Sequence, residues 1–337
     1  MSDEPKLAII ISCYNYEAFV ERAIRSVLNQ WRSDCELVVV DDGSTDRSWD
    51  VIRRSGVTAY RTANGSQRVA CLYGLDRTTA PFVLFLDADD ELKPAALAAI
   101  MDKLDHDVAK LQFSLERIDA DGRRVIEAAP ALEAFRRRDA LARQVLRTGV
   151  YKSPPTSGNV FRRDVCELLR EATYDRSADG ITLFAAPFMG DVISLSEELG
   201  RYRIHDRNIS GLGRSPDPAL LENEIWRFVA RLEHLRTILA RLNPGQRLVS
   251  AQDTFYFRER SFCLSLARGR RPPLARLPAL LVQLVVQDYS PRNKLAMATF
   301  FILGACLPRK RGQALLAYRF MVGRRSIEGL LDAIRGT

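Results

Sequence analysis

The chain has 337 residues, 47% of them hydrophobic, with ordinary Gly and Pro content. That excludes a disordered or fibrous protein and leaves one large domain or two smaller ones. The net charge of +8 is uneven: from Arg258 onward there are 15 Lys and Arg against 4 Asp and Glu, a local +11, so the first 257 residues carry −3. A basic tail behind a neutral-to-acidic front points to an anionic surface, either nucleic acid or membrane. The six cysteines, at 13, 35, 71, 166, 263 and 306, show neither C-x-x-C nor zinc spacing. They read as small buried hydrophobes in a reducing compartment. The acidic start Met-Ser-Asp-Glu-Pro-Lys leads directly into a strand and does not have the pattern of a signal peptide.

Strands and helices alternate through the first hundred residues. Residues 7–13 read as a strand, and 17–30 as an amphipathic helix with Phe19, Ala23, Ile24, Val27 and Leu28 on one stripe. A strand over 35–40 ends in Asp41-Asp42-Gly43-Ser44, followed by a helix over 45–54 and a short strand over 57–61. The pattern continues with a helix over 67–77, a strand over 81–86, and a helix over 94–104 opened by Pro94 in its first turn. This rhythm predicts an α/β fold, a mostly parallel, Rossmann-like sheet with helices on both faces. From 108 the rhythm changes. Residues 108–118 read as a long strand, Asp121-Gly122 as a hairpin turn, 123–128 as the returning strand, and 136–147 as an Arg-rich helix. Helices then alternate with short strands to about 204. Beyond Pro216 the pattern is all-helical, broken at Pro244-Gly245, Pro272-Pro273, Pro291 and Pro308.

The run Pro81-Phe-Val-Leu-Phe-Leu86 goes straight into Asp87-Ala88-Asp89. A fully apolar strand wants both faces covered, as in a parallel sheet between helices. Asp87 and Asp89 are two apart, so an extended backbone aims them the same way. Two such carboxylates repel unless a cation or a proton lies between them, and hard oxygen ligands suit Mg²⁺ or Mn²⁺ holding a substrate phosphate. The bland alternative is a solvated acidic turn that caps the next helix. In open α/β sheets ligands bind beyond the carboxyl ends of the strands, and here those ends carry Tyr14-Asn15, Asp41-Asp42, Asn64-Gly65 and Asp87/Asp89. The first turn, Ser12 to Glu17, has no glycine, which argues against a dinucleotide fingerprint, and no P-loop motif occurs. Tyr14 suits stacking on a base and Asp42 suits accepting from a base N–H. Rim packing for Tyr14 and a helix cap from Asp42 with Ser44 remain the structural alternatives.

Leu7-Ala-Ile-Ile-Ile-Ser-Cys-Tyr-Asn15, Ser26-Val-Leu-Asn-Gln30, Glu36-Leu-Val-Val-Val-Asp-Asp-Gly-Ser-Thr-Asp46 and Phe85-Leu-Asp-Ala-Asp-Asp90 together resemble the inverting family 2 glycosyltransferases, which have the GT-A fold. The resemblance is specific over about residues 5–105 and continues more weakly to about 213 through Ser157-Gly-Asn-Val-Phe-Arg162, Ala178-Asp-Gly180 and Tyr202-Arg-Ile-His-Asp-Arg-Asn-Ile-Ser210. It implies a GT-A domain over 1–215, with a nucleotide-sugar half over about 1–105 and an acceptor half over about 106–215. A basic helical region over 216–337 follows, in which no motif is recognised. By resemblance, Ser12, Tyr14 and Asp42 would hold the nucleoside, Asp87 would contact ribose or metal-bound water, and Asp89 would ligate the metal. Asp179 stands at the family's acidic base, although the usual Glu-Asp pair is Ala178-Asp179 here; Asp191 and Asp175 are its rivals. His205 takes the late Tyr-x-x-His position by the metal and diphosphate. Where the family often has Ala-Arg-Asn-x-Gly, this chain has Ala70-Cys-Leu-Tyr-Gly74, so Arg68, a helical turn earlier, is the candidate substitute.

Such a site implies metal-dependent transfer of a sugar from a nucleotide donor, UDP-linked by preference, to a lipid-linked or polysaccharide acceptor. One carboxylate base without a carboxylate nucleophile implies a single displacement with inversion. A helix N-cap is the structural alternative for Asp179, and a hydrogen-bonding role for His205. The tail has apolar segments over 274–286, 295–307 and 314–322. Thirteen helical residues reach only ~20 Å, short of a ~30 Å bilayer core. Flanked by Arg292, Lys294 and Arg309-Lys-Arg311, they suit a helix lying on the anionic inner face of the cell membrane, holding a cytoplasmic enzyme there peripherally. The alternative is a bundle packed on the catalytic domain or on a second copy in a homodimer. Aliphatic stretches without interleaved aromatics argue against nucleic acid. The rival functions are a catalytically silent binding or scaffold protein of the same fold, which Cys71 and Leu72 keep open, and a nucleotidyltransferase, which wants a Gly-rich first turn.

Overall fold

A computed structural model describes residues 4–125, 132–205 and 217–320, together with 329 and 332. The chain divides into two compact units, Met1–His205 with Glu233–Leu248, and Asp206–Leu232 with Val249–Thr337. The division differs from a single boundary at 215/216, because residues 233–248 group with the first unit.

The first unit opens with β1 (Leu7–Cys13), α1 (Val20–Leu28), β2 (Cys35–Asp41), α2 (Ser48–Arg54), β3 (Thr58–Arg61), α3 (Gln67–Leu75) and β4 (Phe82–Asp87). β3, β2, β1 and β4 lie side by side and all parallel, with Ser12 registered between Val40 and Asp87. Strand alternation sorts the apolar residues by face. Ile9, Ile11, Leu37 and Val39 join the Val20, Ala23, Ile24 and Val27 stripe of α1 in one core. Val38 and Val40 cluster with Ala70 of α3 on the other face. Leu28, which the sequence places on the α1 stripe, is exposed.

Next come β5 (Glu91–Leu92), α4 (Ala96–Met101), β6 (Val108–Ile118), β7 (Phe135–Arg137), α5 (Asp139–Thr148), β8 (Asn159–Arg162), α6 (Arg163–Glu167), α7 (Gly180–Met189) and β9 (Asp191–Arg203). The sheet continues from β4 through β8, β6 and β9 to β5, with β7 on β9. β4–β8 and β6–β8 are antiparallel and β6–β9 is parallel. The parallel character expected of the sheet therefore holds through β4 and gives way to a mixed sheet beyond it. Three local expectations change. Pro94 lies before α4 rather than in its first turn, because the chain passes through a left-handed Ala95 (φ 65°) first. Arg136 and Arg137 belong to β7 and not to a helix; Arg136 bonds Asp105 and Asp191, which holds it on the sheet. The last strand, β9, is 13 residues long and not short, since it pairs with β5, β6 and β7. The Asp121-Gly122 turn forms, with Gly122 at φ 90° and an Ile118–Arg124 bridge, while 126–128 of the returning strand lie outside the described residues.

Past Pro216 the described chain is helical as expected: α8 (Pro218–Leu242), α9 (Phe255–Ala267), α10 (Leu277–Val285), α11 (Pro291–Cys306) and α12 (Arg309–Phe320). In the second unit α9 to α12 enclose a core of Phe255, Phe262, Phe300, Phe301, Leu284 and Leu316. The 295–307 segment is thus one member of a packed bundle and not an isolated surface helix, although Leu295 and Ile302 remain exposed. Residues 321 and 322 of the third apolar segment lie outside the described residues. Among the described residues no helix is long and apolar enough to cross a membrane.

α3 seats on β1 only because Gly74 is bare: a Cβ there would lie 2.5 Å from Ile10 Cγ2 and 3.4 Å from Val40 Cγ2. Ile10 is fully buried and has nowhere to move. Gly74→Ala is expected to destabilise the first unit by ~1–3 kcal/mol, the range for overpacking. A lower urea midpoint measures it; an unchanged midpoint refutes this packing account.

Candidate active site

Asp87 is the last residue of β4, and the chain turns at once, with Asp90 N–H donating to the Asp87 carbonyl. The turn gathers Asp87, Asp89 and Asp90, whose nearest carboxylate oxygens lie within 4.8 Å of one another. Asp89 and Asp90 are buried. Burial first, then the charges of Asp89 and Asp179, hold Asp87 well above the usual carboxylate range. Burial and then Asp89 and Asp87 do the same to Asp90. Asp90 Oδ2 has no hydrogen-bond partner. Three converging acids, two pushed toward protonation and one with a buried oxygen unsatisfied, form a donor set that fits a hard divalent cation. The solvated-turn alternative does not account for that burial.

The surroundings brace this turn. Fully buried Arg203 donates its backbone N–H to Asp90 Oδ1 (2.9 Å) and its Nε to the Asp89 carbonyl (2.9 Å), and it pairs with Glu91. His205 Nε2 lies 2.9 Å from Asp89 Oδ2, its ring stacked 5.1 Å from Phe19 and edge-on to Tyr16 at 5.7 Å. His205 thus stands at the carboxylates, bonded to Asp89; residues 206–210 of its motif lie outside the described residues. Burial and the neighbouring Asp89 push the Tyr16 phenol upward, so it keeps its proton.

Asp42, at the end of β2, is buried and accepts from Gly65 N (2.8 Å), Ser66 N (2.9 Å) and Asn64 Nδ2 (3.3 Å). Its carboxylate therefore ties the turn after β3, where Ser66 is held at φ 123°. Gly43 beside it, at φ 71°, is as necessary, because a Cβ would meet Asn64 N at 2.8 Å. Ser12 is half-buried beside Asp87. Tyr14 is 45% exposed, free for stacking. Asn15 locks the first turn, its Oδ1 accepting from Thr45 N at 2.7 Å. Arg68 is turned elsewhere: its guanidinium donates to the carbonyls of Asp175 and Leu169, both at 3.0 Å. It clamps the chain before Asp179.

Asp179 occupies the N-cap position of α7, yet its side chain caps no backbone N–H. Instead Oδ2 accepts from Thr156 Oγ1 at 3.2 Å. Of its rivals, Asp191 is paired with Arg136, and Asp175 is buried and accepts from Ser177. Gln67 joins the two acidic groups. Its Nε2 donates to Asp87 Oδ1 (2.5 Å), and its Oε1 accepts from Ala178 N (3.2 Å), next to Asp179. Ser157 Oγ accepts from Asp87 N at 3.1 Å. Gln67, Asp90, Thr156 and Ser157 all escaped the sequence reading. Asp90 sits in the acidic run but fails the two-residue alternation; Gln67 gives no signal beside the more conspicuous Arg68.

Residues 8–168 match the family model described as glycosyl transferase family 2. An uncharacterised glycosyltransferase from Nostoc is 37% identical over 214 residues, 60% of this chain and 66% of that protein. The GalNAc(5)-diNAcBac-PP-undecaprenol beta-1,3-glucosyltransferase of Campylobacter jejuni is 34% identical over 110 residues, 29% of this chain and 34% of that enzyme. The matched segments thus span just under two thirds and about a third of these relatives. A crystal structure of S. aureus TarS 1-349 in complex with UDP-GlcNAc shares the fold, with TM-score 0.50 and 18% identity over 98% of this chain and 89% of that one.

The raised carboxyls of Asp87 and Asp90 favour folding when protonated; that contribution is present at low pH and is lost as pH rises through their raised folded values. A divalent cation held by these carboxylates would replace the proton above that window. Mn²⁺ at a hundredfold excess over Kd is worth about 2.7 kcal/mol. It is expected to raise Tm clearly at about pH 8 and little at about pH 4, and not at all in Asp89→Ala. An equal gain at both pH values contradicts the carboxylate site.

Proposed function

We propose that the chain, which belongs to glycosyltransferase family 2, moves a sugar from a UDP-linked donor to a lipid-linked or glycan acceptor, with inversion and with a divalent metal. The observation that carries this reading is the convergence of Asp87, Asp89 and Asp90 at the end of β4, joined through Gln67 to the Asp179 turn. UDP is supported by the UDP-GlcNAc complex of the S. aureus protein of the same fold. The undecaprenol-linked substrate in the name of the Campylobacter relative supports a lipid-linked acceptor.

Asp87, Asp89 and Asp90 would hold Mn²⁺ or Mg²⁺, with His205 on Asp89; when bound, the ion neutralises charge on the leaving diphosphate. Ser12 and Tyr14 face the nucleoside, Tyr14 stacking on the base. Asp42 and Arg68 serve the donor from behind, Asp42 by setting the 64–66 turn and Arg68 by clamping the chain before Asp179. Asp179 takes the proton from the attacking hydroxyl, leaving a single in-line displacement. A screen of UDP-sugars for metal-dependent release of UDP tests the reading. A positioned base contributes ~10²–10⁴-fold, so Asp179→Asn is expected to lower turnover by that factor with the donor KM little changed. A loss confined to donor binding, or a larger loss from Asp191→Asn, refutes the assignment.

The second unit supports a peripheral place on the cytoplasmic face of the membrane. Val282, Val285, Val286 and Leu295 are 68–77% exposed, in a stretch that also carries Arg270, Arg271, Arg276, Arg292 and Lys294. Apolar side chains on a cationic surface suit anionic lipid, with each Lys or Arg worth ~1 kcal/mol. Co-sedimentation with phosphatidylglycerol vesicles is expected to weaken with salt and to be lost in Val282→Asp/Val286→Asp. Unchanged pelleting of that double variant refutes this membrane face.

A further inference from the structure

Lys110 is fully buried in β6. Gln112, on the same face of the strand, is also fully buried, while Leu111 and Phe113 point into the apolar core. A buried ammonium costs several kcal/mol unless its donors are met. Here they are. Nζ donates to Gln112 Oε1 (2.7 Å), Ser153 Oγ (2.8 Å) and Tyr151 Oη (3.1 Å), three acceptors for three N–H groups. The Tyr151 ring lies 4.8 Å from Nζ. Burial pushes the Lys110 amine well below the ordinary lysine range, and the Asp179 charge opposes that shift.

From Ser153 the bonds continue. Ser153 Oγ donates to Asn159 Oδ1 (3.0 Å), and buried Asn159 returns its Nδ2 to the carbonyls of Pro155 (2.7 Å) and Pro154 (3.2 Å). The loop closes tightly: a Cβ on Gly158 would meet Pro154 Cγ at 2.8 Å and the Phe113 carbonyl at 3.0 Å. At its tip Thr156 Oγ1 donates to Asp179 Oδ2, and Ser157 Oγ accepts from Asp87 N. One loop, secured from beneath by Lys110, therefore touches both the base and the metal-binding turn.

We propose that Lys110 is a positioning residue for the transfer step, holding the 153–159 loop so that Thr156 fixes the Asp179 carboxylate. This rests on Asp179 being the base. The experiment uses the full chain and follows Mn²⁺-dependent UDP release, with water as acceptor, from the UDP-sugar that the donor screen selects. Lys110→Met and Thr156→Val are each expected to lower kcat by ~10–100-fold, the scale for supporting residues around a site, with the donor KM unchanged. Thr156→Ser, which keeps the hydroxyl, restores most of the rate. In an Asp179→Asn background neither change costs anything further, because the group they position is gone. Multiplicative losses in the double variants, or a raised KM with kcat intact, overturn the proposal. Should Lys110→Met not fold, Ser153→Ala cuts the same link and is held to the same criterion. If Asp179→Asn alone keeps full turnover, the base assignment itself fails; if it is slowed as expected while the double variants lose rate multiplicatively, only the positioning role fails.

Discussion

The first unit is organised around an electrostatic cost: Asp87, Asp89 and Asp90 crowd one buried turn at the end of β4. Like charges at that spacing destabilise the fold unless a proton or a cation sits among them. The residues that hold the turn come from far along the chain. Arg203 grips it from the end of β9, His205 follows two residues later, and Gln67 and Ser157 reach it from α3 and the loop before β8. A stability-only sheet would spend none of this on three acids. The bracing makes sense when the acids must stay together and aimed outward.

The same economy explains why residues that resemble a donor site are already engaged. Asp42 accepts three donors from the 64–66 turn, and Arg68 donates to two carbonyls near Asp179. Each sets the shape of a neighbouring loop. Cys71, where a polar residue is usual in this family, is buried behind Ser12, and desolvation pushes its thiol up. It contributes packing and no charge. The polar duty in this part of α3 falls to Gln67, whose amide serves as donor and acceptor at once.

The parallel half of the sheet was legible because its signal is local. β1, β2 and β4 are dominated by apolar runs, and the polar residues at their carboxyl ends, acids after β2 and β4, lie on the edge where open α/β sheets bind ligands. Asp87, Asp89 and Asp179 could be named for the same reason, since each stands at a boundary between a patterned segment and a turn. The rest depends on contacts distant in sequence. Nothing around Arg136 announces that Asp105 and Asp191 will hold it on a strand. Nothing around Arg68 shows that backbone carbonyls a hundred residues away will take its guanidinium. The apolar run over 295–307 reads equally well as interfacial or packed until Phe262 and Phe301 are seen against each other, 5.2 Å between ring centroids.

The two halves of the sheet are built by different rules, and the difference matches the chemistry proposed for each. β1 and β4 are apolar on both faces, so the edge that carries the Asp87–Asp90 turn rests on a rigid, dehydrated platform. β6 is apolar on one face only; the other presents Lys110, Gln112 and Ser114, all buried. Polar groups of that kind hold one arrangement by directional bonds, where close-packed methyls would tolerate several. On the proposed reading, the turn of Asp87, Asp89 and Asp90 would need little more than support to hold a cation, because its carboxylates already converge. A base at Asp179, as proposed, would have to be aimed at a bond being formed, and a misplacement of about 1 Å can cost ~10²-fold. A buried hydrogen-bonded network beneath the 153–159 loop would supply that aim where an apolar core alone would not.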